Sequence, residues 1–255
     1  ATMEERNSGN PTDPATLTDT IVYGAKNGLG LIDLRGKAYD DPLWDDLLDQ
    51  LTPDDYQTLI SSSGYGTPEL QNVCKPYCMD ADSATGLVFG SAGGATFNGA
   101  EVTAQTWNRE LALEFGRLLG NDALLGAGTV GWYCPATNIH RTPYSGRNFE
   151  YYSEDPFISG KTCAAETAGI QSKGVYVYNK HFAFNDQETG RDGICVWTNE
   201  QAAREIYLQA FEYPIADANA YCVMTSFNRL GATWAGGDYN LITNILRGEF
   251  GMPGF

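Results

Sequence analysis

From Gly64 onward, short apolar runs alternate with amphipathic stretches, and the period of each apolar set decides the element it predicts. Trp107, Leu111, Phe115 and Leu118 recur three or four residues apart, which predicts a helix that Gly120 would end. Asp155-Pro156 offers an N-cap followed by a proline suited to the first helical position, so a helix is expected from there to Gly174. The run Val175-Tyr-Val-Tyr178 then reads as a strand. Thr198-Asn-Glu-Gln201 has capping-box form and opens a helix predicted to bury Ala203, Ile206, Tyr207, Ala210 and Phe211. A strand over Ala220 to Met224 and a helix carrying Leu241, Ile242, Ile245 and Leu246 follow.

Near-continuous apolar strands alternating with helices predict a parallel sheet covered by helices, an α/β fold. Asp80, Lys180-His181 and Met224-Thr-Ser-Phe227 each come directly after an apolar strand. That is the face on which a TIM-type (β/α)8 barrel places its sites, and such a barrel is the architecture expected. Residues 1–40 read as a linker, the first twenty being polar and rich in turn formers, and residues 41–255 as the barrel region. Between Asp40 and Asp55, Leu and Trp alternate with acids, the pattern of an exposed amphipathic helix.

Charge and cysteines narrow the function classes. Thirty-two acidic against sixteen basic residues give a net charge of −16, which repels phosphate backbones and argues against nucleic acid as a partner. No run of about 18 apolar residues is present, so no membrane span is expected. The six cysteines are scattered, several within apolar runs, and read as buried free thiols; Cys74 and Cys78 lack the second pair a zinc site needs. The start has no signal-peptide pattern and Asn10-Pro-Thr12 is barred from glycosylation by its proline, which together suggest a cytoplasmic protein.

No cofactor and no metal are expected. Gly126-Ala-Gly128-Thr-Val-Gly131 matches G-x-G-x-x-G, but Trp-Tyr-Cys-Pro follows where a phosphate-binding helix should begin. Asp80-Ala-Asp82 begins like a calcium loop, yet Thr85 stands where that loop requires glycine. Lys180 and His181 can donate to vicinal hydroxyls and Asp80 can accept, together a sugar clamp; a strand-capping histidine beside a solvated lysine is the equal alternative. His140, in a loop with no partner of its own, reads as structural. Arg147 sits in the long aromatic and acidic stretch Thr142 to Pro156, where it can bind hydroxyls or pair with Glu150 or Glu154. Asp186 and Glu188 flank Gln187 and can help hold a sugar or the lysine. Trp132, Tyr144, Phe149 and Trp234 can wall a pocket or simply fill a core. There is no G-x-S-x-G elbow and no cysteine adjacent to a histidine, so no nucleophile set of those kinds is expected.

Four motifs in order, GRNFEYYSEDP from Gly146, KHFAFNDQETGR from Lys180, CVMTSFN from Cys222 and ILRGEFGMPGF from Ile245, resemble the barrel domain of glycoside hydrolase family 3, the β-glucosidase family. The resemblance runs from about Lys75 to Phe255. DPLWDDLLDQLT, MDADSATGL and RLGATWAGG resemble those members whose barrel and α/β sandwich domains stand in reversed order. It implies a retaining exo-β-glycosidase acting on terminal nonreducing β-D-glucosyl residues through a covalent glycosyl-enzyme. Asp80, Arg147, Lys180 and His181 would then line the −1 subsite, with Met224 packed beside it. Phe227 stands where many members carry a tyrosine that touches the nucleophile, and DSATG departs from the usual turn after Asp80. The family's nucleophile lies a few residues beyond the motif ending at Gly254-Phe255 and its acid/base outside the barrel, so no catalytic residue is assigned. The resemblance implies about five strands and the start of a sixth. Two partners follow: a β-glucoside or short β-linked oligosaccharide, and the remaining portion of the same enzyme. A sugar-binding fragment without turnover is the alternative from another class, and β-xylosidase the nearest within the enzymes. N-acetylhexosaminidase fits less well, because those relatives carry Gly-His-Gly where this chain has Phe-Ala-Phe-Asn-Asp-Gln-Glu.

Overall fold

The structure, a computed structural model, describes residues 21–87, 94–126 and 129–254. The polar segment 1–20 and two residues of the Gly126–Gly131 motif lie outside the described residues. The described residues fall into two compact units, one ending at Tyr77 and the other beginning at Cys78.

In the first unit, α1 (Leu43–Leu48) and α2 (Pro53–Ser61) follow the amphipathic pattern. Thr52 caps α2: its hydroxyl accepts from the Asp55 amide at 3.2 Å while the Asp55 carboxylate accepts from the Thr52 amide at 2.8 Å, and Pro53 takes the first position. Leu47 packs with Leu34, Leu51, Leu70 and Val73, leaving Asp45 and Asp46 in solvent.

The second unit contains the parallel strands β1 (Cys78–Ala81), β2 (Thr129–Trp132), β3 (Tyr176–Phe182) and β4 (Cys222–Thr225), each paired with the next. Between and after them come α3 (Ala100–Gln105), α4 (Arg109–Leu125), α5 (Pro156–Gln171), α6 (residues 200–218) and α7 (Asn240–Glu249). This open, parallel-rich sheet with its helices is the partial (β/α) barrel that the alternation predicts. A small ribbon joins Cys195–Val196, Arg229–Leu230 and Thr233–Trp234 beside it. Phe115, Leu119, Trp132, Ile170 and Val177 fill one core, and Phe182, Leu208, Phe211, Ile215, Val223 and Leu246 another. Each such large side chain contributes about 1.5–3 kcal/mol on burial.

Two helices depart from the periodicity. Asn108 caps α4, accepting from the Leu111 amide at 3.1 Å, and the helix runs through Gly120 to Leu125. Trp107 precedes it in the left-handed region (φ +55°) and is exposed, as are Leu111 and Leu118. The buried face is Ala112, Phe115, Gly116, Leu119, Gly120 and Ala123. Its glycines are packing surfaces: a Cβ on Gly116 would collide with the Glu166 carbonyl of α5, and one on Gly169 of α5 with the Leu113 carbonyl. Gly120 therefore lets α5 approach instead of stopping α4, a Cβ there meeting the Lys173 side chain at 2.6 Å.

Gly116→Ala is expected to destabilise the protein by about 1–3 kcal/mol although alanine is the better helix former, because the obstacle is backbone on both sides. A thermal melt checks this; an unchanged or raised melting temperature would remove the close-approach explanation.

In α6 the N-cap is Asn199, accepting from the Ala202 amide at 2.8 Å, and Ala203–Leu208 form a π-helical segment. The extra residue in a π turn rotates everything after it. Leu208, Ala210, Phe211 and Ile215 are buried, Ala203 and Tyr207 only partly, and Ile206 faces solvent. By contrast α5 begins as read, Asp155 accepting from the Ile158 amide at 2.8 Å with Pro156 first, and Gly174 takes a positive φ beyond its end. All six cysteines are free thiols, but only Cys134 and Cys163 are fully buried. Among the described residues no helix is long and apolar enough to cross a membrane.

Candidate functional site

At the C-terminal face of the sheet, β3 delivers Lys180 and His181. Strict alternation would send neighbouring side chains to opposite faces. Here the register with β4 slips between Lys180 and Phe182, so His181 is the unpaired residue of a bulge, the device that re-aims side chains in sheets. The Lys180 backbone is held by the 135–137 segment, its amide donating to Pro135 O at 3.0 Å and its carbonyl accepting from Thr137 N at 2.8 Å.

The Lys180 ammonium lies 2.6 Å from Asp82 Oδ1 and 2.8 Å from Glu150 Oε1, with its side chain almost wholly buried. Burial works against its charge, but Cys134, Glu150 and Asp82 more than offset it and raise its pKa. Burial pushes the Cys134 thiol itself far up, so the two carboxylates hold the ammonium. Asp82, Cys134 and Glu150 bring ligand atoms within 4.8 Å of one another, as a metal site would, and it is the lysine that engages both carboxylates. Glu150 is shared: its Oε2 accepts from Arg147 Nε at 2.7 Å and Nη2 at 2.6 Å. Arg147 Nη1 comes within 3.9 Å of Glu188, which also pairs with Arg191 at 2.7 Å.

His181 is fixed by Asn138, whose Oδ1 accepts from the His181 amide at 2.8 Å and whose Nδ2 donates to the His181 carbonyl at 3.0 Å. His181 Nδ1 lies 3.2 Å from the same Oδ1, an acceptor, which places the proton on Nδ1 and leaves Nε2 with a lone pair. Burial, then the charges of Arg147, Lys180 and Arg191, hold the imidazole pKa well below its usual value, so the ring is neutral. Tyr151 OH stands 3.5 Å from Nδ1 and bonds Asn185.

The remaining predicted residues divide. Asp80 lies two residues before Asp82, with Tyr178 OH donating at 3.5 Å and Gly131 leaving the notch its carboxylate fills. Met224 is the register partner of Lys180 and is half-buried. Phe227 is 43% exposed and lies under the Arg191 guanidinium at 5.2 Å. Asp186 accepts from the Ile139 amide at 2.7 Å, and burial pushes its carboxyl up to about 7. It positions the loop and is separate from the lysine's ion pairs. Trp132 is wholly buried, and its indole donates to Ser83 O at 3.1 Å, pinning the turn that presents Asp82. Tyr144 is exposed, Phe149 and Trp234 half-exposed. His140 bonds the Tyr151 carbonyl at 2.9 Å, a structural role.

Asp82, Asn138 and Tyr151 thus join the site without having been singled out. Asp82 carried a signal, since it is the residue directly before the Ser83-Ala-Thr-Gly86 turn; Asn138 and Tyr151 act through backbone and ring contacts that leave no pattern in sequence.

A family model for the glycosyl hydrolase family 3 N terminal domain matches residues 59–255. A β-glucosidase of Ruminococcus albus is 35% identical over 94% of this chain and 26% of its own length. Two solved structures share the fold. A Paenibacillus barengoltzii β-glucosidase is matched over all of this chain and 28% of its own, with 31% identity and a TM-score of 0.80. A Thermotoga neapolitana β-glucosidase 3B in complex with glucose is matched over 83% and 33%, with 33% identity and a TM-score of 0.77. The chain spans about a quarter of the length of the curated relatives it matches. Joined to a lysine clamp at the mouth of a partial barrel, these matches show that the chain belongs to glycosyl hydrolase family 3 and carries that family's N-terminal domain.

Proposed function

We propose that this chain supplies the sugar-holding part of a retaining exo-β-glycosidase, and that the enzyme is a β-glucosidase. The observation that carries the reading is a buried ammonium fixed between two carboxylates, beside a neutral histidine, on the C-terminal face of a family 3 chain. In this reading Lys180 donates to one sugar hydroxyl while Asp82 accepts from its neighbour. His181 Nε2, left with a lone pair, accepts from another hydroxyl. Arg147 donates from the rim, and Met224 and Phe227 form the apolar wall. Asp80, lower in the sheet, forms the floor that sets how deep the ring sits.

Retaining hydrolysis needs a nucleophile and an acid/base about 5–5.5 Å apart. Asp82 and Glu150 are both committed to Lys180, which makes them poor attackers; both working carboxylates lie outside these 255 residues in this proposal. The glucose-bound Thermotoga relative supports a glucosyl subsite.

A panel of aryl glycosides on the complete enzyme tests the reading. The highest kcat/KM is expected on the β-D-glucoside, with the β-anomer released first by NMR. A higher value on the β-xyloside would move the assignment to that class. Glucose binding without turnover would support the non-catalytic alternative.

A further inference from the structure

Behind the clamp lies a buried polar bracket on α5. Glu166, 2% exposed, accepts from the Tyr152 hydroxyl at 2.6 Å. One helical step away Thr167 Oγ1, and one turn back Cys163 Sγ, accept from Asn179 Nδ2 at 3.2 and 3.3 Å. Asn179 directly precedes Lys180, and Tyr152 follows Glu150 and Tyr151. One face of one helix therefore grips both chain segments whose side chains meet in the Lys180–Glu150 ion pair.

We propose that Glu166 is a positioning residue for the glycosidase reaction: through Tyr152 it fixes the segment 147–152 and so holds Glu150 on Lys180. The inference rests on the function proposed above. Glu166 acts as a neutral acid. Burial pushes its carboxyl up to about 8, with the Tyr152 hydrogen bond opposing. The titratable groups facing it are Tyr152, Cys163 on its own helix and Cys134 two residues beyond β2, all acids that burial pushes up, while α4 contributes Gly116 against its carbonyl. None of these supplies positive charge, so ionising Glu166 would strand an anion and draw water into the bracket.

The sign follows from linkage. An acid whose folded pKa exceeds its unfolded value makes the unfolded state bind fewer protons, so stability falls as pH rises from about 4.5 to about 8. Activity should fall with it as Glu150 loosens from Lys180.

The test compares the complete wild-type enzyme with Glu166→Gln, Glu166→Ala and Tyr152→Phe. It measures kcat and KM on an aryl β-glucoside from pH 5 to 9.5, together with melting temperatures. Glu166→Gln, which keeps the acceptor, is expected within about twofold of wild type at pH 6, with its alkaline limb moved to higher pH than that of wild type because the amide cannot ionise. Tyr152→Phe is expected to lower kcat about tenfold, the worth of one buried hydrogen bond, with KM nearly unchanged. An alkaline limb identical in wild type and Glu166→Gln, with kcat of Tyr152→Phe unaltered, overturns the proposal even where melting temperatures drop, because Glu166 would then be merely structural. Should Glu166→Ala fail to fold, the two conservative variants still decide. A wild type without turnover on any glycoside refutes the functional reading itself, a result separate from any difference among variants.

Discussion

Lys180→Ala lowers kcat/KM of the complete enzyme by about 10²- to 10³-fold on the proposed reading, the usual cost of removing one preorganised donor. The ammonium is nearly buried and clamped by two carboxylates, so its position is set before substrate arrives and no reorganisation is needed in the transition state. The mutation also leaves Glu150 buried with Arg147 as its cation and Asp82 without its partner. Breaking a buried pair from one side typically costs about 3–5 kcal/mol, so the melting temperature should fall as well. Lys180→Arg should not rescue, because a planar fork cannot fill the space of a point charge held at 2.6 and 2.8 Å. Labelling by a mechanism-based inhibitor separates the roles: the variant should still form the covalent adduct, slowly, because the nucleophile is elsewhere. A Lys180→Ala enzyme within about threefold of wild type would sink the clamp.

The parts of this molecule that sequence made legible are those where a short local rule and the tertiary structure agree. Asp155-Pro156 caps a helix, and a run such as Val175 to Tyr178 leads into a buried strand, whatever surrounds them. Three of the family motifs fall at the ends of strands or in the loop that faces them, the fourth beginning inside α7, and the Lys180-His181 pair could be placed at a strand end from its motif alone. What stayed hidden depends on partners distant in sequence. Gly120 looked like a stop signal because its role, admitting α5, is visible only once α5 is there. Ile206 looked buried because a 3.6-residue period was assumed through what is a π segment. Glu188 was placed near the sugar or the lysine, and it bridges Arg191 toward Arg147. The most instructive case is Asp80 against Asp82. At two residues' separation, alternation cannot tell them apart; depth can, Asp80 lying within β1 and Asp82 just past its end.

Depth also predicts how the two aspartates respond to substitution. Asp82→Asn should lower kcat/KM about 10- to 100-fold, the worth of a charged hydrogen bond, with little loss of stability because Glu150 still balances Lys180. Asp80→Asn should do the reverse. Its carboxylate fills the notch at Gly131 beneath Tyr178, where an amide must turn one NH2 toward groups suited to an acceptor, and a buried mismatch of that kind costs about 1–3 kcal/mol. Its effect on kcat/KM should stay below about tenfold, since on the proposed reading it meets the sugar only as part of the floor. Parallel kinetics and melts on the two variants decide between them. If Asp80→Asn proves the more damaging to catalysis at equal stability, then Asp80 binds the substrate directly, and Asp82 serves only to fix the charge of Lys180. The distinction matters chemically: a carboxylate that accepts from a hydroxyl gains strength as the transition state shifts charge toward the ring, whereas one that only holds an ammonium acts on kcat solely through where it places that ammonium.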